Sequence, residues 1–239
     1  MRIVFCDDDK AFLEHFVKSV SEYAVNLKLP NVELAAYLSG EELLLNETRA
    51  DIAFLDVEMP GKSGLVLCRH LKEHNPWVKI FIVTAHPEYL DEAFDYGVFR
   101  FIEKPVDKRL LYDRLHKAFK DYAKSTTEIT IETNNRVFTL PANEIMCFEY
   151  YKRGSIVHTI NDSYRTTRTI DYWEKNLNLP CFYKSNRGYI VNMRYVKSFS
   201  SADCKIRLAY KDKAVMAYLT SRKYTDFKKA FYLFKGGLL

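Results

Sequence analysis

The chain has 239 residues, of which 48% are hydrophobic and 28% charged, with five cysteines and a net charge of +5. That length allows one large or two ordinary domains with real cores, and the composition fits a soluble globular protein. No apolar run reaches the roughly 18 residues of a membrane helix. The N-terminus "MRIVFCDDD" is basic only at Arg2 and turns acidic by Asp7, unlike a signal peptide. The odd, scattered cysteines, without a Cys-x-x-Cys, read as reduced cytosolic thiols rather than a disulfide frame or a zinc site.

The charge is unevenly divided. Residues 1–122 carry 16 Lys+Arg and 21 Asp+Glu, whereas residues 123–239 carry 20 and 10. An acidic half joined to a basic half predicts two modules with different partners, the basic one suited to a polyanion.

In chain order, apolar runs at 2–6, 32–38, 51–56, 79–85 and 99–104 predict strands rich in β-branched and aromatic residues. Helical patterns fall between and after them, at about 10–26, 40–48, 63–74, 87–96 and 107–122. Five strands alternating with five helices predict right-handed βαβ units around a parallel sheet, an α/β fold. The small, polar centre of "DYAKSTTEI" marks a linker, taken as 123–128, between domains at 1–122 and 129–239. Beyond it lie short alternating segments: "EITIET", "NRVFTLP", "EIMCFEYYKR", "SIVHTIN", "SYRTTRT", "GYIVNMRYVKSF", "CKIRLAYKD" and "AVMAYLTS". Punctuated by Asn, Asp and Gly, they predict a mostly antiparallel β domain with one helix near 169–179.

In open parallel sheets chemistry gathers at the carboxyl ends of the strands. The first strand ends in Asp7 and Asp8, the third in Asp56 within "LDVEMPG", the fourth in Thr84 and the fifth in Lys104 before Pro105. Converging carboxylates raise one another's pKa unless a cation neutralises them, and an oxygen-only set is how Mg2+ is held near phosphate. On this reading Asp56 is a phosphoryl-accepting nucleophile and Asp8, with Asp7, holds the cation. Thr84 and Lys104 meet phosphoryl oxygens. Asp9 reads as a helix N-terminal residue. "HLKEH" places His70 and His74 four apart but lacks a His-Glu-x-x-His arrangement, so a solvated helix face is the expectation. A flavin phosphate is excluded, because "CDDDK" would repel it where a Gly/Ser/Thr loop is needed.

These residues together resemble the receiver domain of two-component response regulators. The resemblance rests on the acidic pair, the Asp of "LDVEMPG", the "VTA" and the "EKPV", and covers residues 1–122. It implies a flavodoxin-like (βα)5 fold, phosphorylation of Asp56 by a sensor histidine kinase, and Mg2+ bound by Asp7, Asp8, Asp56 and the Glu58 backbone carbonyl. Phe101, where Tyr is commoner, falls at the position that couples phosphorylation to a surface change and to homodimer formation.

The basic half shows no catalytic constellation, which points to a regulator and not an enzyme. It carries Lys and Arg interleaved with aromatics in "YYKRGS", "YRTTRT", "YKSNRGY" and "TSRKY". Such residues contact phosphates, and Arg and Asn also read base edges. From about 128 to 234 this half resembles the LytTR DNA-binding domain, on "IMCFEYYKRGSIVHT", "YRTTRTIDYWEKNL", "CFYKSNRGYIVNMRYV" and "LTSRKYTDFKKAF". The resemblance implies a mostly β module whose loops contact double-stranded promoter DNA repeats through Arg153, Asn186, Arg187, Arg222 and Lys223. Asn186 and Gly188 depart from the usual residues around the second-loop Arg, and Tyr150 stands where Ser is frequent. The expectation is a cytoplasmic regulator with no membrane partner, activated by phosphorylation. The rivals are an atypical receiver that dimerises constitutively and a protein- or membrane-docking output domain.

Overall fold

The structure, a computed structural model, describes residues 1–29, 31–47 and 49–235. Thr48, at the end of the expected second helix, and residues 236–239, at the end of the expected second domain, lie outside the described residues. The chain divides into two compact units, Met1–Tyr122 and Ala123–Leu239.

The first unit alternates strand and helix as the sequence pattern dictates. Strands β1 (Arg2–Cys6), β2 (Glu33–Tyr37), β3 (Ile52–Leu55), β4 (Lys79–Thr84) and β5 (Arg100–Glu103) form a parallel sheet in the order β2-β1-β3-β4-β5. Helices α1 (Lys10–Asn26), α2 (Gly40–Asn46), α3 (Gly64–His74), α4 (Leu90–Asp95) and α5 (Lys108–Ser125) complete it. Helix α1 starts where the Asp9 carboxylate accepts from the Ala11 and Phe12 N–H groups, satisfying two donors that have no partner within the helix. Its buried residues Leu13, Phe16, Val20 and Ala24 recur at helical spacing and pack on one sheet face with Phe5, Phe54 and Phe81. Val4, Leu55, Ile80 and Ile82 face the other layer, against Leu67, Cys68 and Leu71 of α3. Both faces are therefore covered, which is why the strands read as nearly continuous apolar runs.

One expectation here needs correction. Residues 87–96 are not one helix: a 3-10 turn at Pro87–Tyr89 precedes α4. Within the expected linker at 123–128, α5 continues to Ser125. Its carbonyl at Ala123 then accepts from the Thr126 and Thr127 hydroxyls, and the next strand begins at Glu128. Small and hydroxyl residues here finish a helix rather than form a loop.

The second unit is mostly antiparallel β. Strands β6 (Glu128–Glu132) and β7 (Val137–Pro141) form a hairpin. A five-stranded sheet runs β10 (Ser163–Thr166), β9 (Gly154–Thr159), β8 (Ile145–Tyr151), β12 (Tyr189–Asn192), β11 (Phe182–Asn186). A three-stranded sheet comprises β13 (Val196–Phe199), β14 (Lys205–Tyr210) and β15 (Lys213–Tyr218). Helix α6 (Ile170–Asn176) places Trp173 against Phe148, with ring centroids 4.6 Å apart, in a core shared with Ile129, Ile131, Val157 and Ile190. The Trp173 Nε1–H donates to Ser155 Oγ at 2.9 Å, so burying the indole leaves no orphaned donor.

Three features of this unit differ from the sequence expectation. Phe182–Asn186 is a strand, residues 188–199 break into β12 and β13 around a 3-10 turn at Met193–Tyr195, and a further helix, α7 (Tyr224–Lys235), follows β15. Phe227 of α7 is fully buried, 5.0 Å from the Phe199 ring and 5.1 Å from the Tyr183 ring.

Candidate functional site

The acidic pocket is a product of strand register. The Asp56 N–H donates to Cys6 O at 2.9 Å, so the first residue after β3 sits beside the first after β1. One carboxylate oxygen from each of Asp7, Asp8 and Asp56 lies within 4.8 Å of the other two. Asp7 and Asp56 are buried and Asp8 is exposed, giving the cluster an inner wall and an open side. Lys104, projecting after β5, bridges the two buried acids: its Nζ lies 2.6 Å from Asp56 Oδ2 and 2.7 Å from Asp7 Oδ2. The Phe12 ring supports the same ammonium at 4.4 Å.

Charge in this pocket is incompletely balanced, with one lysine against two buried carboxylates and a third at the rim. Burial raises the Asp7 pKa, against the opposing pull of Lys104. Burial also works against the Lys104 ammonium, but its hydrogen bonds to Asp56 and Asp7 prevail and its pKa is raised. Residual negative charge on closely set oxygens, with one side open to water, fits a hard divalent cation such as Mg2+. Asp56 Oδ1 accepts the Val57 N–H at 2.6 Å, which together with Lys104 fixes the carboxylate plane.

Thr84 ends β4 and is fully buried, and its Oγ1 accepts the His86 N–H at 3.3 Å. Its backbone O accepts the Lys104 N–H at 2.9 Å, so threonine and lysine approach the pocket from neighbouring strands. Phe101 pairs with Ile82 across the sheet and packs, partly buried, on the face that also holds Tyr89 and Tyr96. Gly64, at the start of α3, allows that helix to meet the Asp56 backbone. A Cβ there would lie 1.9 Å from Asp56 O.

Sequence reasoning missed the side chain of Glu58. Its carboxylate lies 2.9 Å from His86 Nε2 and accepts the Tyr89 O–H at 2.9 Å, linking the loop after β3 to the segment after β4. The available signal was weak: His86 stands two residues beyond Thr84, as Glu58 stands two beyond Asp56. His70 and His74 are occupied locally, His70 Nε2 against Glu47 O at 2.9 Å and His74 Nδ1 against His70 O at 3.0 Å.

In the second unit the basic segments meet at one end of the large sheet. Arg153 lies in the Lys152–Arg153 turn between β8 and β9, where Lys152 takes a positive φ of 52°. Arg187 tips the β11–β12 hairpin, and the Tyr150 N–H donates to Gly188 O at 2.7 Å, tying the two hairpins together. Arg222 sits in the 3-10 turn Ser221–Lys223. All three arginines are exposed, and none is paired among the described residues.

Asn186 and Lys223 behave differently. Asn186 Nδ2 donates to Tyr218 O at 2.8 Å, while its Oδ1 accepts the Gly188 N–H at 2.6 Å. Ser185 Oγ donates to the same Tyr218 carbonyl at 2.7 Å, and Lys223 Nζ donates to Lys184 O at 2.7 Å. These bonds fasten the Arg187 hairpin to the segment that carries Arg222. Beside it, Glu149 accepts the Tyr189 O–H and lies 2.7 Å from His158 Nε2. Burial, followed by this bond to Glu149, pushes the Tyr189 pKa up.

Comparison with known proteins agrees with this division. Residues 3–116 match the response regulator receiver domain family, and residues 135–232 match the LytTr DNA-binding domain family. Transcriptional regulatory protein NatR of Bacillus subtilis is 28% identical over 76% of this chain and 79% of its own length. Transcriptional regulatory protein LytR of Staphylococcus aureus is 26% identical over 66% of this chain and 69% of its own. Among solved structures, the receiver domain of AraT, a response regulator from Geobacillus stearothermophilus, is 26% identical. It covers 53% of this chain and 98% of that one, with a TM-score of 0.47. The chain is a response regulator. It belongs to the family in which a receiver domain precedes a LytTR DNA-binding domain, and its function is to regulate transcription.

Proposed function

We propose that phosphorylation of Asp56 by a sensor histidine kinase controls how this cytoplasmic regulator binds promoter DNA. The observation that carries the reading is the bridge from Lys104 to both Asp56 and Asp7, with Asp8 completing the acid cluster. In the transfer, an Asp56 carboxylate oxygen attacks the phosphorus of the phosphohistidine. The P–N bond breaks as the new P–O bond forms, and the electron pair returns to the histidine nitrogen. Lys104 holds the Asp56 carboxylate ready and follows the incoming negative charge, and Thr84 donates to a phosphoryl oxygen. Asp7, Asp8, Asp56 and the Glu58 carbonyl would hold Mg2+, which supplies charge neutralisation for the phosphoryl oxygens.

Movement of Thr84 towards the phosphoryl group alters the packing beneath β4 and β5, where Phe101 and Tyr89 share one cluster. That surface then pairs with a second copy. Two DNA-binding domains held together engage adjacent repeats at high effective concentration. Arg153, Arg187 and Arg222 make the contacts to double-stranded DNA, with Asn186 and Lys223 at the same edge.

The test is duplex binding before and after treatment with acetyl phosphate and Mg2+. Wild type gains affinity for DNA carrying two repeats, and Asp56→Ala gains none. Equal binding in both states would leave DNA recognition standing and remove the switch.

A further inference from the structure

At the edge of the receiver sheet opposite β5 lies the strand β2. There α1 and the edge strand β2 border a shallow groove of about 850 Å3, floored by Leu13, Val17, Leu34 and Ala36. Along α1, beside this groove, Lys10, Glu14, Lys18 and Glu22 follow one another at four-residue spacing, all exposed. Alternating signs at that spacing form one continuous row on a helix. The row has a further property: it is complementary to itself when reversed. Turned about a two-fold axis through its midpoint, near residue 16, Lys10 meets Glu22 of another copy and Glu14 meets Lys18. The same two pairs recur on the other side of the axis.

The apolar ends of the groove obey the same symmetry. Val25 is 71% exposed at the C-terminal end of α1, and Leu38 is 43% exposed just beyond β2. Leu38 lies at the other end of the groove, since Tyr37 pairs with Cys6 and the Asp7 N–H donates to Tyr37 O at 3.2 Å. Reversal of the helix therefore brings Val25 of each copy to Leu38 of the other. Lys10 to Glu22 spans about 18 Å of helix, so both apolar contacts flank four ion pairs within one helix length.

We infer that this α1–β2 edge is a two-fold, antiparallel contact between two copies of this chain. Its charges are weakly committed within one molecule: Lys10 lies 4.0 Å from Glu14 and Glu22 lies 3.5 Å from Lys108, both at exposed positions. Exposed pairs of this kind contribute little, so exchanging them for intermolecular pairs costs little. A self-complementary patch is what a two-fold interface requires. None of its side chains belongs to the phosphoryl pocket, so the pairing exists without phosphorylation and is separate from the one that phosphorylation promotes.

The test uses the full chain carrying Asp56→Ala, so that no phosphorylation-driven association contributes, and follows mass by sedimentation equilibrium. At low salt the parent associates to dimer, and added salt returns it to monomer as the ion pairs are screened. Lys18→Glu sets its new carboxylate against Glu14 of the facing copy. Glu14→Lys sets its new ammonium against Lys18 of the facing copy, and each variant alone is monomeric. Mixed together they pair, because positions 14 and 18 are both acidic in one variant and both basic in the other. Recovery on mixing excludes misfolding as the cause of either loss. A monomeric parent at low salt, single variants that dimerise like the parent, or a mixture that stays monomeric would each overturn the inference.

Discussion

Asp7 shows how the pocket trades stability for function at the scale of one residue. The residue is only 3% exposed, and burial raises its pKa. A buried acid with a raised folded-state pKa carries no penalty at low pH, where it is protonated in both states. The penalty appears as pH rises from the unfolded value through the folded one. Asp7→Asn removes it and leaves Lys104 paired with Asp56. The substitution therefore raises the stability of the metal-free protein at neutral pH, and its Tm with it. The gain over wild type grows as pH rises through that window, and thermal melts against pH measure it. Mg2+ stabilises wild type but not the variant.

Asn186 and Arg187 are neighbours with separable roles. Arg187 is exposed and unpaired among the described residues, whereas both polar groups of Asn186 are used within the fold. Arg187→Ala lowers DNA affinity and reduces the magnitude of the salt dependence by about one phosphate contact. Asn186→Ala loosens the hairpin and lowers affinity while leaving the salt slope unchanged, as titrations of one duplex at several salt concentrations show. Strand-end chemistry made Asp7, Asp8, Asp56, Thr84 and Lys104 legible in the sequence, because strand ends fix where such side chains converge. The commitment of Asn186 and the reach of Glu58 to His86 and Tyr89 were not legible, because they depend on loop paths that no periodicity encodes.

Among elements, the parallel sheet was the most readable, since covering both faces writes long apolar runs into each strand. Strand β11 was hidden by its polar end "KSN", and α7 by its composition. Tyr and Phe suit strands as well as helices, and its lysines drew attention to charge rather than to periodicity. Its apolar side nevertheless anchors the unit. Phe227→Ala empties a fully buried site and costs about 3–5 kcal/mol, lowering the unfolding transition of Ala123–Leu239 and leaving that of Met1–Tyr122 in place. Differential scanning calorimetry separates the two. Helix α3 makes the complementary case in the first unit. Gly64→Ala forces a Cβ towards Asp56 O and costs about 1–3 kcal/mol, with loss of phosphoryl uptake beyond what the stability change explains.

For the whole molecule, an acidic receiver and a basic DNA-binding unit divide the labour that the charge asymmetry first indicated. The acidic half gathers the carboxylates of Asp7, Asp8 and Asp56 in one pocket. The basic half leaves Arg153, Arg187 and Arg222 exposed and, among the described residues, unpaired towards one end of its large sheet. The proposed switch rests on Asp56 taking up a phosphoryl group in a pocket whose closely set carboxylates fit Mg2+. The most direct test is incubation of the full chain with acetyl phosphate over a Mg2+ titration, read by intact mass and by mapping of the modified peptide. One phosphoryl group on Asp56, appearing only with Mg2+ and absent from Asp56→Ala, is the predicted result. Uptake that ignores Mg2+, or that persists in Asp56→Ala, would contradict the account.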